Sequence, residues 1–243
     1  MTNGAAVLNQ DEVDALLNGM NVGTVSTESA SVPESVRNYD LGMRKSALMA
    51  YKRPAERILA HVTPDTTELI EVGCNTGLLS LHIAGKLPEV AVSGVEEVPN
   101  LIEVAEDNLT LAVWSNTSGD VEVELAKLNR LPFPDQSADI VYSFSSFHRW
   151  ARPVEALKEC ARICKPDGLV LIEDVNRHAE EGHITFILQF VKDGGEEFMR
   201  QLQAGYTKDE VRDLLDQAGL TDWQVVEEDL GLIITSRPLN PGS

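Results

Sequence analysis

The sequence predicts an α/β fold: a doubly wound, mostly parallel seven-stranded Rossmann-like sheet with an antiparallel last strand, preceded by a short N-terminal helix and a flexible linker. Three observations carry this. From Arg53 onward, short apolar runs alternate with segments of helical period, the pattern of βαβ units around a parallel sheet. The first of those runs, Glu68 to Val72, leads directly into a tight turn bounded by Gly73 and Gly77. The final two apolar runs follow each other almost without a spacer, which predicts a hairpin rather than a crossover.

Taken in order, residues 8–18 (LNQDEVDALLN) place Leu8, Val13, Leu16 and Leu17 at helical spacing among acids, and Gly19 is a stop. Residues 20–35 are rich in Ser, Thr and Gly and read as linker. The domain is expected over 36–243. Within it, 54–62 reads as a helix, 68–72 as a strand, 77–86 as a helix, 90–96 as a strand and 99–114 as a long helix. Strands follow at 121–125 and 138–144, a helix at 153–165, a strand at 168–175, a helix at 208–220, and strands at 223–230 and 232–237.

Composition sets the bounds. A chain of 243 residues, 43% hydrophobic and 24% charged, suits one such domain with a tail. The net charge of −19 opposes phosphate backbones and anionic lipid surfaces, so neither nucleic acid nor membrane is an expected partner. The basic clusters are modest, Arg44-Lys45 and Lys52-Arg53. Three cysteines, Cys74, Cys160 and Cys164, make no disulfide framework and read as small core residues. The start lacks a basic, apolar signal pattern, and no apolar run reaches the ~20 residues of a membrane span, so a cytoplasmic protein is expected. His178 and His183 near Glu180-Glu181 fit no ligand spacing, and no metal is expected.

The chemistry is concentrated at Glu68-Leu-Ile-Glu-Val-Gly-Cys-Asn-Thr-Gly77. A strand, a glycine turn and a helix create a crevice at a strand end, where open α/β sheets bind nucleotides. Glycine lets the backbone bend there and lets a ligand come close. The glycine spacing does not fit the G-x-G-x-x-G of dinucleotide folds, and Glu71 stands two residues before Gly73. At the end of the second strand, Glu96-Glu97 offers carboxylates able to accept hydrogen bonds from ribose hydroxyls.

The turn resembles motif I of class I S-adenosylmethionine-dependent methyltransferases, E/D-x-G-x-G-x-G, with Asn75 at the central glycine. Asn is one of the few residues that tolerate positive φ. Leu131-Pro-Phe-Pro-Asp135 followed by Ser137-Ala-Asp-Ile-Val141 is similar to the LPFPDxSFDxV segment of UbiE-like methyltransferases, and the stretch ending Lys165-Pro-Asp-Gly168 is similar to their K-P-G-G turn. The resemblance covers about residues 50 to 237. It implies S-adenosylmethionine as cofactor, with its methionine part wrapped by Glu71, Gly73, Cys74, Asn75 and Gly77. It implies Glu96 and Glu97 on the ribose, and the methyl group aimed toward the end of the fourth strand at Ser143. Lys127 falls where the family often has an adenine-binding acid, and lysine accepts no hydrogen bond; the adenine is therefore assigned to backbone around Leu128 and Asn129. His148 sits where relatives carry histidine and is the candidate general base, against a packing role. Phe144, Phe147, Trp150, His178, His183, Phe186 and Tyr206 are candidates for an acceptor pocket.

Residues 8–19 resemble the N-terminal peptide of flagellar motor switch proteins, which binds a response regulator, and Val36 to Gly42 resembles the segment after their linker. That implies a response-regulator-like partner. The expected function is methyl transfer to a small-molecule or protein acceptor. The alternative is a non-catalytic adaptor of the same fold docking such a partner.

Overall fold

The strand that opens the site is apolar on both faces: Leu69, Ile70 and Val72 are fully buried, as in the centre of a parallel sheet. A computed structural model describes residues 32–114, 119–189 and 195–239, apart from the side chains of 46–49 and 197. The readings of residues 1–19 and of most of the linker lie outside the described residues. The chain divides into Met1–Ser31 and Val32–Ser243, and the second unit holds everything described here.

The strands are β1 (Glu68–Val72), β2 (Ala91–Glu96), β3 (Val121–Leu125), β4 (Ala138–Phe144), β5 (Cys164–Val175), β6 (Gln224–Glu228) and β7 (Gly231–Thr235), in the order β3-β2-β1-β4-β5-β7-β6. Neighbours from β3 to β5 are parallel. β7 runs antiparallel to both β5 and β6, so the hairpin inserts its second strand beside β5 and leaves β6 at the edge.

The helices are α1 (Glu34–Ala50), α2 (Lys52–Leu59), α3 (Leu78–Ala84), α4 (Pro99–Trp114), α5 (Pro153–Ile163), α6 (Glu181–Leu188), α7 (Gly195–Ala204) and α8 (Lys208–Ala218). α1, α6 and α7 go beyond the sequence reading, and α1 begins at Glu34, within the last two residues of the stretch read as linker. α8 has the clearest local cause. Thr207 and Glu210 form a capping box, and Gly219 closes the helix at φ 76°. The helix expected over 153–165 stops at Ile163, and β5 begins at Cys164 with a register shift against β4 between Ala138 and Ile140.

Apolar side chains fill both sides of the sheet. Ile70, Leu157, Cys160, Ile163, Ile172, Val211 and Ile234 lie on one; Ile58, Leu69, Ile83, Tyr142, Leu171 and Ile233 lie on the other. Cys160 and Cys164 are core residues, and burial lifts the Cys164 thiol to about 12. Asp139 accepts from the backbone of Thr67 and Glu68 at 2.9 and 3.0 Å and from Lys165 at 2.5 Å, a structural tie at the amino ends of the strands. On the opposite pole, the chain leaves β1 toward β2 on one side while β4 lies on the other. That reversal opens a crevice at the carboxyl ends of β1 and β4.

Candidate functional site: the crevice above β1 and β4

The loop after β1 alternates its handedness. Gly73, Asn75 and Gly77 have φ of 75°, 54° and 72°. Asn75 thus takes the left-handed conformation expected of it. Gly73 and Cys74 donate their N–H groups to Val95 O at 2.7 and 2.9 Å, pinning the loop to β2. The reason for Gly73 differs from the sequence reading. A Cβ there would meet Ser146 Oγ at 1.9 Å and Trp150 Nε1 at 3.1 Å, so the bare backbone makes room for the chain after β4 rather than for a ligand. Trp150 donates to Ser146 Oγ at 2.9 Å and closes that contact.

Glu96 is buried, and its oxygens accept N–H groups from Asn75, Glu97 and Val98 at 3.0, 3.0 and 3.1 Å. Each carboxylate oxygen has more than one acceptor direction, so capacity remains for hydroxyls. Burial pushes its pKa up, while Arg149 at 3.7 Å pulls it down. Glu97 accepts from Ala151 N at 3.4 Å instead, bracing the chain beyond β4. Glu71 is buried under the loop and accepts from Ser80 Oγ. Desolvation raises its carboxyl to about 8.

α1 roofs this region. Tyr39 and Met43 meet Tyr51, Glu71, Cys74, Asn75, Leu79, Phe144 and Ser145 around a cavity of about 10 Å³. Burial raises the Tyr39 phenol to about 12. The helix is latched by Asn108 of α4, whose Nδ2 donates to Asp40 at 2.9 Å and to Thr76 O at 2.8 Å. Arg44 joins the latch through Asp40 at 2.7 Å and through Asn108. Tyr39 and the latch were not anticipated, because nothing local in the sequence marks them.

The other predicted residues divide. Ala126 N donates to Glu96 O at 3.0 Å, which brings the segment holding Leu128 and Asn129 beside Glu96. Leu128 is a core side chain, Asn129 is half-buried and Lys127 is exposed. Ser143 turns into the interior toward Ser146 Oγ at 3.3 Å, and Ser145 takes the place at the crevice. Phe147 and Trp150 are core residues in edge contact, with ring centroids 5.0 Å apart. Tyr206 packs on Phe147, also at 5.0 Å. Phe186 is exposed.

His148 lies in the 3-10 turn Phe147–Arg149, and Asp174 at the end of β5 grips it. Asp174 accepts the His148 backbone N–H at 2.8 Å, and its two oxygens lie 2.8 and 3.0 Å from Nδ1. Both side chains are about 95% buried, at 4% and 5% exposure. A carboxylate only accepts, so Nδ1 carries a proton. Sequence reasoning missed Asp174, which meets His148 only because β4 and β5 are neighbours.

With this geometry in place, known proteins similar to the chain are informative. Residues 70–172 match the family profile described as "Methyltransferase domain". These residues resemble a methyltransferase domain. S-adenosylmethionine is the cofactor that such a domain takes. The chain is similar to the malonyl-[acyl-carrier protein] O-methyltransferase of Geobacter sulfurreducens, at 30% identity over 73% of this chain and 66% of that protein. It is 24% identical to an uncharacterized chloroplastic methyltransferase of Arabidopsis thaliana, over 70% and 46% of the two chains. The chain thus spans between about half and two thirds of these relatives' lengths. In fold it resembles a putative S-adenosylmethionine-dependent methyltransferase from Methanococcus maripaludis, with a TM-score of 0.67 at 20% identity over 88% of this chain and 96% of that one. A second, from Aquifex aeolicus, gives 0.61 at 19% identity over 84% and 96%.

The crevice fits that cofactor. S-adenosylmethionine would bring an ammonium and a ribose diol to two buried acids, Glu71 and Glu96. The raised Glu71 carboxyl marks an acid that a cation would relieve. Among the described residues no cluster of His, Cys, Asp and Glu has the geometry to hold a metal, and no helix is long and apolar enough to cross a membrane.

Proposed function

We propose that the chain transfers the methyl group of S-adenosylmethionine to an oxygen acceptor, on a small molecule or a protein-borne group, entering over the ends of β4 and β5. The observation that carries the reading is the His148–Asp174 pair beside the cofactor loop. The cofactor supplies an electrophilic methyl on a sulfonium. The residues of this chain do the rest. Asp174 fixes the imidazole tautomer and leaves Nε2 to take the proton from an acceptor hydroxyl as the new C–O bond forms. Positioning accounts for much of the remaining rate. The Geobacter sulfurreducens relative is named as an O-methyltransferase, which supports an oxygen acceptor.

Isotope-labelled S-adenosylmethionine incubated with a panel of hydroxyl, carboxyl, amine and thiol acceptors tests this. Label should appear on hydroxyl compounds. His148→Gln should slow the transfer by about a hundredfold, the usual contribution of a positioned base, with S-adenosylhomocysteine affinity unchanged. Equal rates for wild type and His148→Gln would remove the base role and leave His148 as a packing residue.

A further inference from the structure

Arg149 is a charged side chain beside the crevice that has no part in the proposed methyl transfer. It follows His148 in the 3-10 turn, and its side chain is one third exposed. Its guanidinium reaches 74 positions back along the chain. Nη2 donates to Asn75 Oδ1, the side chain that stands at the centre of the cofactor loop. The same nitrogen lies 3.7 Å from Glu96 Oε2. Its field is felt across the crevice: it opposes the upward shifts that burial imposes on Tyr39, Cys74 and Glu96.

The charges of the crevice are otherwise unbalanced for the cofactor. S-adenosylmethionine carries an ammonium, a sulfonium and a carboxylate. The residues lining the cavity offer one acid, Glu71, with hydroxyls, the Asn75 amide, a thiol and apolar groups but no cation. Glu71 and Glu96 answer the ammonium and the ribose. A carboxylate placed among them needs a positive partner, and a guanidinium fork matches its two oxygens. Asn75 holds Arg149 at the required place. Asn75 Nδ2 donates to Gly73 O and Phe144 O at 3.3 and 3.4 Å, which turns its Oδ1 toward the guanidinium.

We infer that Arg149 is the receptor for the α-carboxylate of S-adenosylmethionine, kept over the loop by Asn75. The inference rests on the crevice being the cofactor site. It gives Asn75 a purpose that glycine would not serve, and it makes the loop recognise the amino-acid end of the cofactor.

Two ligands separate the parts. S-adenosylhomocysteine carries the amino acid, whereas 5′-methylthioadenosine keeps the adenine, ribose and thioether without it. Calorimetric titration of the full-length protein should show Arg149→Gln losing about tenfold in affinity for S-adenosylhomocysteine, the usual weight of a charge-assisted fork, with 5′-methylthioadenosine affinity within about twofold of wild type. Arg149→Lys should keep part of the homocysteine affinity. Equal losses for both ligands would overturn the inference, because they would mean that Arg149 serves the ribose or the loop fold. Unchanged affinity for S-adenosylhomocysteine would overturn it as well. Failure of the wild type to bind either ligand would instead overturn the cofactor reading on which the inference stands.

Discussion

Glu71 shows how one buried side chain at the crevice makes stability depend on pH. Its carboxyl is fully buried, accepts from the Ser80 hydroxyl, and is raised to about 8 by desolvation from an ordinary value of 4.5. In the unfolded chain it loses its proton near the ordinary value. Between the two values the unfolded state has released a proton that the native state still holds, so stability falls as pH rises through that window. Below about 4.5 the penalty vanishes, and above about 8 it is constant. Glu71→Gln keeps an oxygen for Ser80 and removes the titration. Relative to wild type it should gain stability steadily from pH 5 to 8, with an upper bound of roughly 5 kcal/mol. Denaturant melts across that range check this. Parallel curves for the two proteins would mean that Glu71 is ionised and paired in the native state.

At the scale of elements, α1 decides whether the crevice is roofed. One side chain of α4, Asn108, bridges α1 at Asp40 and the cofactor loop at Thr76. Asn108→Ala leaves a buried Asp40 with Arg44 alone and strips Thr76 O of this donor. The cost should be about 1–3 kcal/mol, read as a melting temperature lower by roughly 3–10 °C. Hydrogen exchange should quicken in α1 more than in α5 or α8. Uniform loss across all helices would show that the latch is part of the global core and not a local hinge.

The same helix shows what a sequence displays and what it hides. β1, β2 and β4 announce themselves because both faces are apolar, and α8 because its cap and stop residues are local. α1 carries Gly42 and an exposed Leu41, so its helical period is blurred, and its inner face is set by the crevice it covers. The cofactor loop was legible because Glu71, Gly73, Asn75 and Gly77 lie within one turn. Glu96 was legible from its place at a strand end. Asp174, Arg149 and Tyr39 were not. Each reaches the site from a distant segment, and their roles exist only once β1, β4 and β5 are neighbours. Ser143 and Ser145 differ for a simpler reason: Ser143 lies within β4, whereas Ser145 lies just past its end in a left-handed conformation, φ 51°, which turns it out of the strand's alternation.

For the whole molecule, the candidate site residues among the described residues gather at one pole. The carboxyl ends of β1, β2, β4 and β5 supply Gly73, Glu96, Ser145 and Asp174, while the opposite pole is tied by Asp139 and Lys165. The parallel sheet creates that division, since every strand from β3 to β5 ends on the same side. The net charge of −19 suits a cofactor that carries net positive charge, and the buried acids place part of that charge where the ligand lies. The central claim is therefore that this pole is an S-adenosylmethionine site, with Glu96 holding the ribose. Its most direct test is calorimetric titration of wild type and Glu96→Ala with S-adenosylhomocysteine, after matched thermal melts confirm folding. Saturable binding by the wild type, and a loss of about tenfold or more in the variant, corresponding to about 1.5–3 kcal/mol for hydrogen bonds to a charged group, is the result predicted here. No binding by the wild type, or equal affinity in the two proteins, would contradict it.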